Sequence, residues 1–149
     1  MRTITALALL LSQPMLILAG GQVGSAVKRS ELDRMPFITG KLKMTITKFK
    51  DNVAISSEIR NTGVGYIEVS IESLSPEFTT FSPSRLLFVD RNNDQASILG
   101  LRHVNEIYPA QDIRLAPQAR IKGRYILTDK LEPPVRVYYD DRLLGTILD

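Results

Sequence analysis

The sequence of 149 residues contains no cysteine, no tryptophan and a single histidine, His103. Without cysteine the chain cannot form disulfides, bind a metal through thiolates, carry a redox dithiol or be lipidated at an N-terminal cysteine. A single histidine gives no basis for a histidine-rich metal site or a catalytic triad. Apolar residues make up 44% and charged residues 23% of the chain, which excludes a collagen, a disordered tail and a polytopic membrane protein.

Charged residues are scarce at the N-terminus, where Arg2 is the only one before Lys28. The basic start, the apolar middle and the small residues Gly24-Ser25-Ala26 form the pattern of a secretory signal peptide. We therefore expect residues 1–26 to be a signal peptide that is cleaved after Ala26, with a cut near Gly21 as the alternative. The protein is then exported, periplasmic or extracellular, and the absence of cysteine favours a bacterial envelope.

An uncleaved membrane anchor is the other interpretation of the same segment. The uncharged run from Thr3 to Val27 exceeds the length of about 20 residues that spans a bilayer. Ser12, Gln13 and Pro14 interrupt its centre, and Lys28 follows on what would be the outer side. These features favour cleavage, which would leave a chain without a membrane span.

Side-chain alternation begins at Gly40, after a mixed and charged segment that we expect to be a flexible leader, residues 27–39. Apolar residues then recur at every second position in four stretches, as expected for strands with one face in a core. About eight such strands, separated by turn residues, predict an all-β fold over residues 40–149, an antiparallel β-sandwich. The clearest alternating stretches are Leu42–Thr47, Ile67–Glu72, Ile121–Leu127 and Val135–Tyr139. Val53 to Arg60 is also predicted to be a strand, with Ser57 among its apolar positions, and we expect a bulge or a strand end at Lys48-Phe49.

Several turn phrases resemble those of secreted bacterial immunoglobulin-like domains of unknown function. They are LAPQARIKGRYIL, EIRNTG, LLFVDRNND and PVRVYYDDRLLGTI. The resemblance extends over about residues 42–148, and it implies an immunoglobulin-like sandwich of about seven or eight strands. Gln118 stands where those domains prefer glycine, and Asp94-Gln95 stands where they have Asp-Gly.

A second resemblance is to the amino-terminal domain of periplasmic pilus chaperones. In those domains a strand is followed by Asn-Thr-Gly and later by a phrase like Ser82 to Leu86. This resemblance implies a chaperone-like or assembly factor that uses an exposed edge strand.

Three basic residues, Arg120, Lys122 and Arg124, share one face of a predicted strand, about 7 Å apart at each step. We call them the basic row. Such a row attracts phosphate-bearing lipid or acidic polysaccharide, although a solvated outer face or a protected edge strand has the same pattern. Lys41 and Lys43 form a second, shorter row. Nucleic acid is not an expected partner, because the chain without residues 1–26 has lost Arg2 and has a net charge of only +2. Export also separates the protein from nucleic acid.

Other candidate residues have simpler structural interpretations. Asp90, Asn92 and Asp94 begin like a calcium loop, but Gln95 and Leu101 replace the glycine and glutamate of an EF-hand, so we expect a hairpin turn. We also expect a turn at Asp140-Asp141, a structural role for His103, and core positions for Tyr125 and Tyr139. Tyr138 points outward and is the fourth candidate for partner contact.

The sequence therefore predicts an exported, non-catalytic binding or accessory module of the cell envelope. It offers no catalytic, cofactor-binding or metal-binding residues, and we do not expect an enzyme. An envelope protein or an acidic envelope polymer is the expected partner, reached by the basic row. A periplasmic chaperone-like or assembly factor is the alternative. The identity of the partner and the oligomeric state are left open.

Overall fold

The computed structural model describes residues 25–54, 63–103 and 106–149, with the backbone alone at residues 102, 103 and 106. Over these ranges the regular structure consists of twelve β-strands and two short 3₁₀ turns. The strands are β1 (Ser25–Lys28), β2 (Phe37–Thr39), β3 (Leu42–Val53), β4 (Val64–Ser73), β5 (Thr79–Phe81), β6 (Leu86–Val89), β7 (Gln95–His103), β8 (Glu106–Tyr108), β9 (Ile113–Leu115), β10 (Arg120–Leu127), β11 (Val135–Tyr139) and β12 (Arg142–Leu148).

One curled sheet contains most of these strands, in the order β1-β12-β11-β6-β7-β10-β4-β3-β2, and β8 pairs beside β7. The first part of β7, through Ser97, pairs with β6, and its continuation, Ile98 to Leu101, pairs with β10. β5 and β9 form a separate two-stranded sheet. The prediction of an all-β, sandwich-like fold is confirmed. Over the described residues, no helix has the length and apolarity needed to cross a membrane.

The core lies inside the curled sheet and contains the apolar residues that alternation assigned to the inner face. Their burial removes apolar surface from water, which is worth about 1.5–3 kcal/mol for each large side chain. Almost completely buried residues include Met44, Ile46, Ile67, Val69, Ile71, Tyr125, Leu127, Val135 and Val137. The irregularity predicted at Lys48 is also present, as a register shift between Ile46 and Lys48.

Five strands were not expected from the sequence: β1, β2, β5, β8 and β9. Each has only three or four residues, so that two-residue alternation has no room to show. Conversely, most of the predicted strand from Val53 to Arg60 lies outside the described residues, as does the proposed signal segment up to residue 24.

The segment expected to be a flexible leader is packed into the domain. Val27, Leu32 and Phe37 are 2–3% exposed, and residues Arg29–Arg34 form a 3₁₀ turn between β1 and β2. β1 and β2 are the two end strands of the curled sheet, so this turn joins its two ends. A Cβ on Gly145 of β12 would lie 2.7 Å from the Phe37 ring. This close approach is therefore open only to glycine.

Arg29 strengthens this closure from the start of the turn. Its Nη1 lies 3.4 Å from Oδ1 of Asp51 in β3, and its Nη2 lies 3.4 Å from Oδ1 of Asp149. The guanidinium also lies 5.2 Å from the centre of the Phe49 ring, within the range of a cation–π contact. One side chain thus connects the N-terminal segment, β3 and the end of the chain.

The turn before β10 holds Gln118 in a backbone conformation that favours glycine. The Ala119 N–H donates to the Ala116 carbonyl at 3.0 Å, and Gln118 has a φ of 61°. With Pro117 at the second position, this is the arrangement of a type II turn, whose third residue favours glycine. Gln118 therefore occupies left-handed backbone at a cost that glycine would avoid.

We expect Gln118→Gly to raise the free energy of unfolding by about 1 kcal/mol, because it relieves the left-handed strain. Gln118→Ala is the matched control, since alanine keeps a Cβ, and it should change stability by less than about 0.5 kcal/mol. Urea denaturation measures both. A glycine variant no more stable than the alanine variant would contradict the turn assignment.

The position of β1 gives a second prediction. Ser25 and Ala26 pair with Gly145 and Thr146, so that a chain beginning at Val27 loses half of β1. It should be less stable than a chain beginning at Ser25 by about 1–2 kcal/mol, the net worth of the lost backbone hydrogen bonds. Thermal and urea denaturation of the two chains provide the test. Equal stabilities would show that the first half of β1 contributes nothing. A signal cut near Gly21 leaves β1 whole, whereas a cut after Ala26 does not.

Candidate binding face on β3, β4 and β10

The basic row lies on the outer face of the curled sheet, as the alternation predicted. β10 pairs with β4 so that Arg120 is opposite Glu72, Lys122 is opposite Ser70 and Arg124 is opposite Glu68. Ile121, Gly123 and Tyr125, which alternate with the basic row, lie on the opposite side of the strand. Arg120, Lys122 and Arg124 are all exposed.

A second set of lysines flanks β4 on its other side. β3 places Lys43 opposite Glu72, Thr45 opposite Ser70 and Lys48 opposite Glu68. An acidic strand therefore lies between two basic ones, which lowers the repulsion between the basic strands. We call this surface the charged face, and it consists of Lys43, Lys48, Glu68, Glu72, Arg120, Lys122 and Arg124.

Glu68 is the best-connected carboxylate of the charged face. It accepts a hydrogen bond from the Tyr66 hydroxyl and lies 3.7 Å from the Lys48 ammonium. The Tyr66 hydrogen bond is the main reason that its pKa lies below the ordinary value; Lys48 and Arg124 add to this effect, and burial opposes it. Glu68 is therefore ionised at neutral pH, and the Lys48 ammonium partly neutralises its charge.

Within the described ranges, the cations of the basic row form no such ion pair, although Arg124 helps to lower the pKa of Glu68. Among the described residues, no carboxylate oxygen lies within 4.0 Å of the side-chain nitrogens of Arg120, Lys122 or Arg124. A groove next to them is lined by polar side chains, including Thr45, Ser70 and Lys122. Exposed, unpaired guanidinium groups bind phosphate, sulfate and carboxylate groups in bidentate fashion.

Tyr138 lies elsewhere, on the outer face of β11, and the structure does not bring it together with the basic row. Its cross-strand neighbours are Leu87 and Leu143, and its hydroxyl accepts a hydrogen bond from Arg136 Nη1 at 3.3 Å. The shorter lysine pair is also divided, because Lys43 belongs to the charged face whereas Lys41 lies in the turn before β3.

The acidic motif at residues 90–94 forms the predicted hairpin turn between β6 and β7. The buried Asp90 carboxylate accepts backbone N–H groups from Asn92 at 2.9 Å, Asp94 at 3.0 Å and Glu132 at 3.1 Å. Its oxygens thus organise the hairpin and fasten it to the loop before β11. Within the described ranges no group of three or more histidine and acidic residues is arranged to hold a metal ion.

Asp140 also lies in a turn, as predicted, with a left-handed φ of 56°. Its carboxylate lies 3.3 Å from Arg85 Nη1. Tyr139 is a core residue, as expected. Its hydroxyl accepts the Ser82 N–H at 2.9 Å, and burial raises the pKa of that hydroxyl. His103 lies in β7, and its side chain is outside the described part of the structure.

Sequence reasoning missed the acidic half of the charged face. Glu68 and Glu72 were visible as the outer residues of an alternating stretch, but alternation does not tell which strands are neighbours. It also missed that Ile126, on the same outer side as Arg124, is fully buried. Ile126 belongs to a small second cluster with Val64, against which Ile107 of β8 packs.

Comparisons with known proteins support the fold without giving an activity. No protein-family model matches the chain, and a search of curated proteins gives no significant match. The crystal structure of the yjhA protein from Bacillus subtilis is similar, with a TM-score of 0.51 and 11% sequence identity. The similarity covers 77% of this chain and 79% of that chain. At this level of identity it concerns the fold alone.

Proposed function

We propose that this protein is an exported, non-catalytic binding module of the bacterial cell envelope that holds an anionic partner on its charged face. We also propose that it is related to the secreted immunoglobulin-like domains that its turn phrases resemble. The observation that carries the proposal is the exposed basic row, whose three cations have no carboxylate within 4.0 Å among the described residues.

The spacing of the basic row favours an extended partner. Residues at alternate strand positions are about 7 Å apart, so three cationic groups extend over about 14 Å. A single small anion reaches at most two of them, whereas a polymer with repeated negative charges reaches all three. The two carboxylates of the face, opposed to five basic groups, leave an excess of positive charge that attracts such a partner.

The positions of Asp90 and Asp140 support a binding role over a catalytic one. Asp90 is buried, and its carboxylate accepts hydrogen bonds from backbone N–H groups. Asp140 forms an ion pair with Arg85. General acid–base chemistry needs carboxyl groups that face a substrate. These two residues stabilise turns instead.

We expect the chain beginning at Ser25 to bind dextran sulfate, a soluble polyanion, with an affinity that falls as salt rises. The triple variant Arg120→Ser, Lys122→Ser, Arg124→Ser should bind at least about tenfold more weakly, because it loses three ionic contacts. Isothermal titration calorimetry at several salt concentrations measures this, with neutral dextran as the ligand control.

A charge-matched variant tests whether binding depends on the charged face or only on the net charge of the protein. Arg34, Lys130 and Arg142 are exposed and lie outside the charged face, so Arg34→Ser, Lys130→Ser, Arg142→Ser loses the same charge. It should keep an affinity within about twofold of the parent chain. If both triple variants bind equally well, the charged face is not the binding site.

A further inference from the structure

An open stretch of strand edge lies alongside the basic row. β4 pairs with β10 from Arg120 to Ile126, whereas β7 pairs with β10 only from Tyr125 to Leu127. Within the parts of the chain that the structure describes, residues 120–124 therefore have no ladder partner on the side away from β4. An edge of this kind presents backbone N–H and C=O groups that another strand can pair with.

The edge is open because β7 leaves β10 at Leu101. From Leu101 to His103, β7 pairs with β8 on its other side and does not continue along β10. A groove at this place extends from Leu101 across Lys122, Gly123 and Arg124 to Thr47, Glu68 and Val69 of β3 and β4. The surface around Lys122 and Arg124 is therefore concave on the side where acidic side chains of an added strand would lie.

The charge pattern of β4 indicates which strand would fit. On the paired side, Glu72 is opposite Arg120 and Glu68 is opposite Arg124. A strand on the open side would place its side chains opposite the same basic residues, with Cβ atoms about 4.5–5.5 Å apart. Opposite charges in such positions are stabilising and like charges are destabilising. The open edge thus favours a strand with acidic residues at alternate positions, as β4 itself has.

We propose that the open edge of β10 binds an extended acidic segment of a partner protein by strand addition, with Asp or Glu at alternate positions facing Arg120, Lys122 and Arg124. This inference rests on the proposed function, since it uses the same basic row, and it narrows the partner to a polypeptide. A lipid surface or a polysaccharide offers negative charge but no backbone N–H and C=O groups to complete the ladder. The edge then supplies backbone hydrogen bonds, and the basic row selects the partner.

The test uses the chain beginning at Ser25 and a fluorescein-labelled nine-residue peptide in which threonine and glutamate alternate. A second peptide has the same charges but proline in place of the central threonine, which interrupts strand pairing. Fluorescence anisotropy should show the proline peptide binding at least about tenfold more weakly, a loss equal to about 1.4 kcal/mol. Lys122→Glu should weaken binding of the glutamate peptide and strengthen binding of its lysine counterpart.

Amide hydrogen exchange locates the added strand. The backbone amides of residues 120–124 that point away from β4 should exchange more slowly when the glutamate peptide is bound. Equal binding of the glutamate peptide and the proline peptide would overturn strand addition. The proposed function would still stand in that case if dextran sulfate binds through the basic row. Failure of both dextran sulfate and the peptide to bind would overturn the two proposals together.

Discussion

The register of β4 is the constraint on which the rest of this structure depends. Ile67, Val69 and Ile71 are at most 1% exposed on its inner side, and Glu68 and Glu72 lie on its outer side, opposite the basic residues of both neighbours. Because side chains alternate, a slip of one residue would move these isoleucines and valine into water and the carboxylates into the core. Hydrophobic burial therefore fixes the position of the charges.

The charged face follows from this register. The carboxylates of β4 lie between the basic residues of β3 and β10, yet among the described residues only Lys48 comes within 4.0 Å of Glu68. In the described part of the chain, the cations of β10 are exposed next to an edge that β7 does not cover from Arg120 to Arg124. Exposed cations on an open edge are also a known defence against aggregation. The same features that discourage pairing with uncharged strands allow pairing with an acidic one, so protection and selective recognition are compatible on this edge.

Closure of the domain depends on a segment with no strand pattern in its sequence. Arg29 contacts Asp51 and Asp149, and the 3₁₀ turn that it begins joins the two end strands of the sheet. These contacts bring together residues that are far apart in the sequence, so no local pattern could reveal them. The charged residues of segment 27–39 suggested a flexible leader because the sequence does not show which residues they contact. The partners of Arg29 lie in β3 and at the end of the chain.

The parts of the fold that sequence reasoning recovered are those that local chemistry determines. Stretches such as Ile67–Glu72 alternate long enough to show which side faces the core, and Asp90 and Asp140 are in the turns that their side chains favour. Gln118 has a left-handed φ, which is the conformation that the third residue of a type II turn requires. Strands of three residues, the neighbours of β4 and the open edge of β10 depend on long-range pairing, which a two-residue period does not encode.

The most direct measurement of the β4 register uses the absence of cysteine from the chain. Ser70 and Lys122 are opposite each other on the outer face, so Ser70→Cys with Lys122→Cys should form an intramolecular disulfide under mild oxidation. Ile121 points to the other side of the sheet, so Ser70→Cys with Ile121→Cys should remain as free thiols. Mass spectrometry after thiol labelling distinguishes the two forms. A disulfide in the second pair and none in the first would contradict the register and, with it, the charged face.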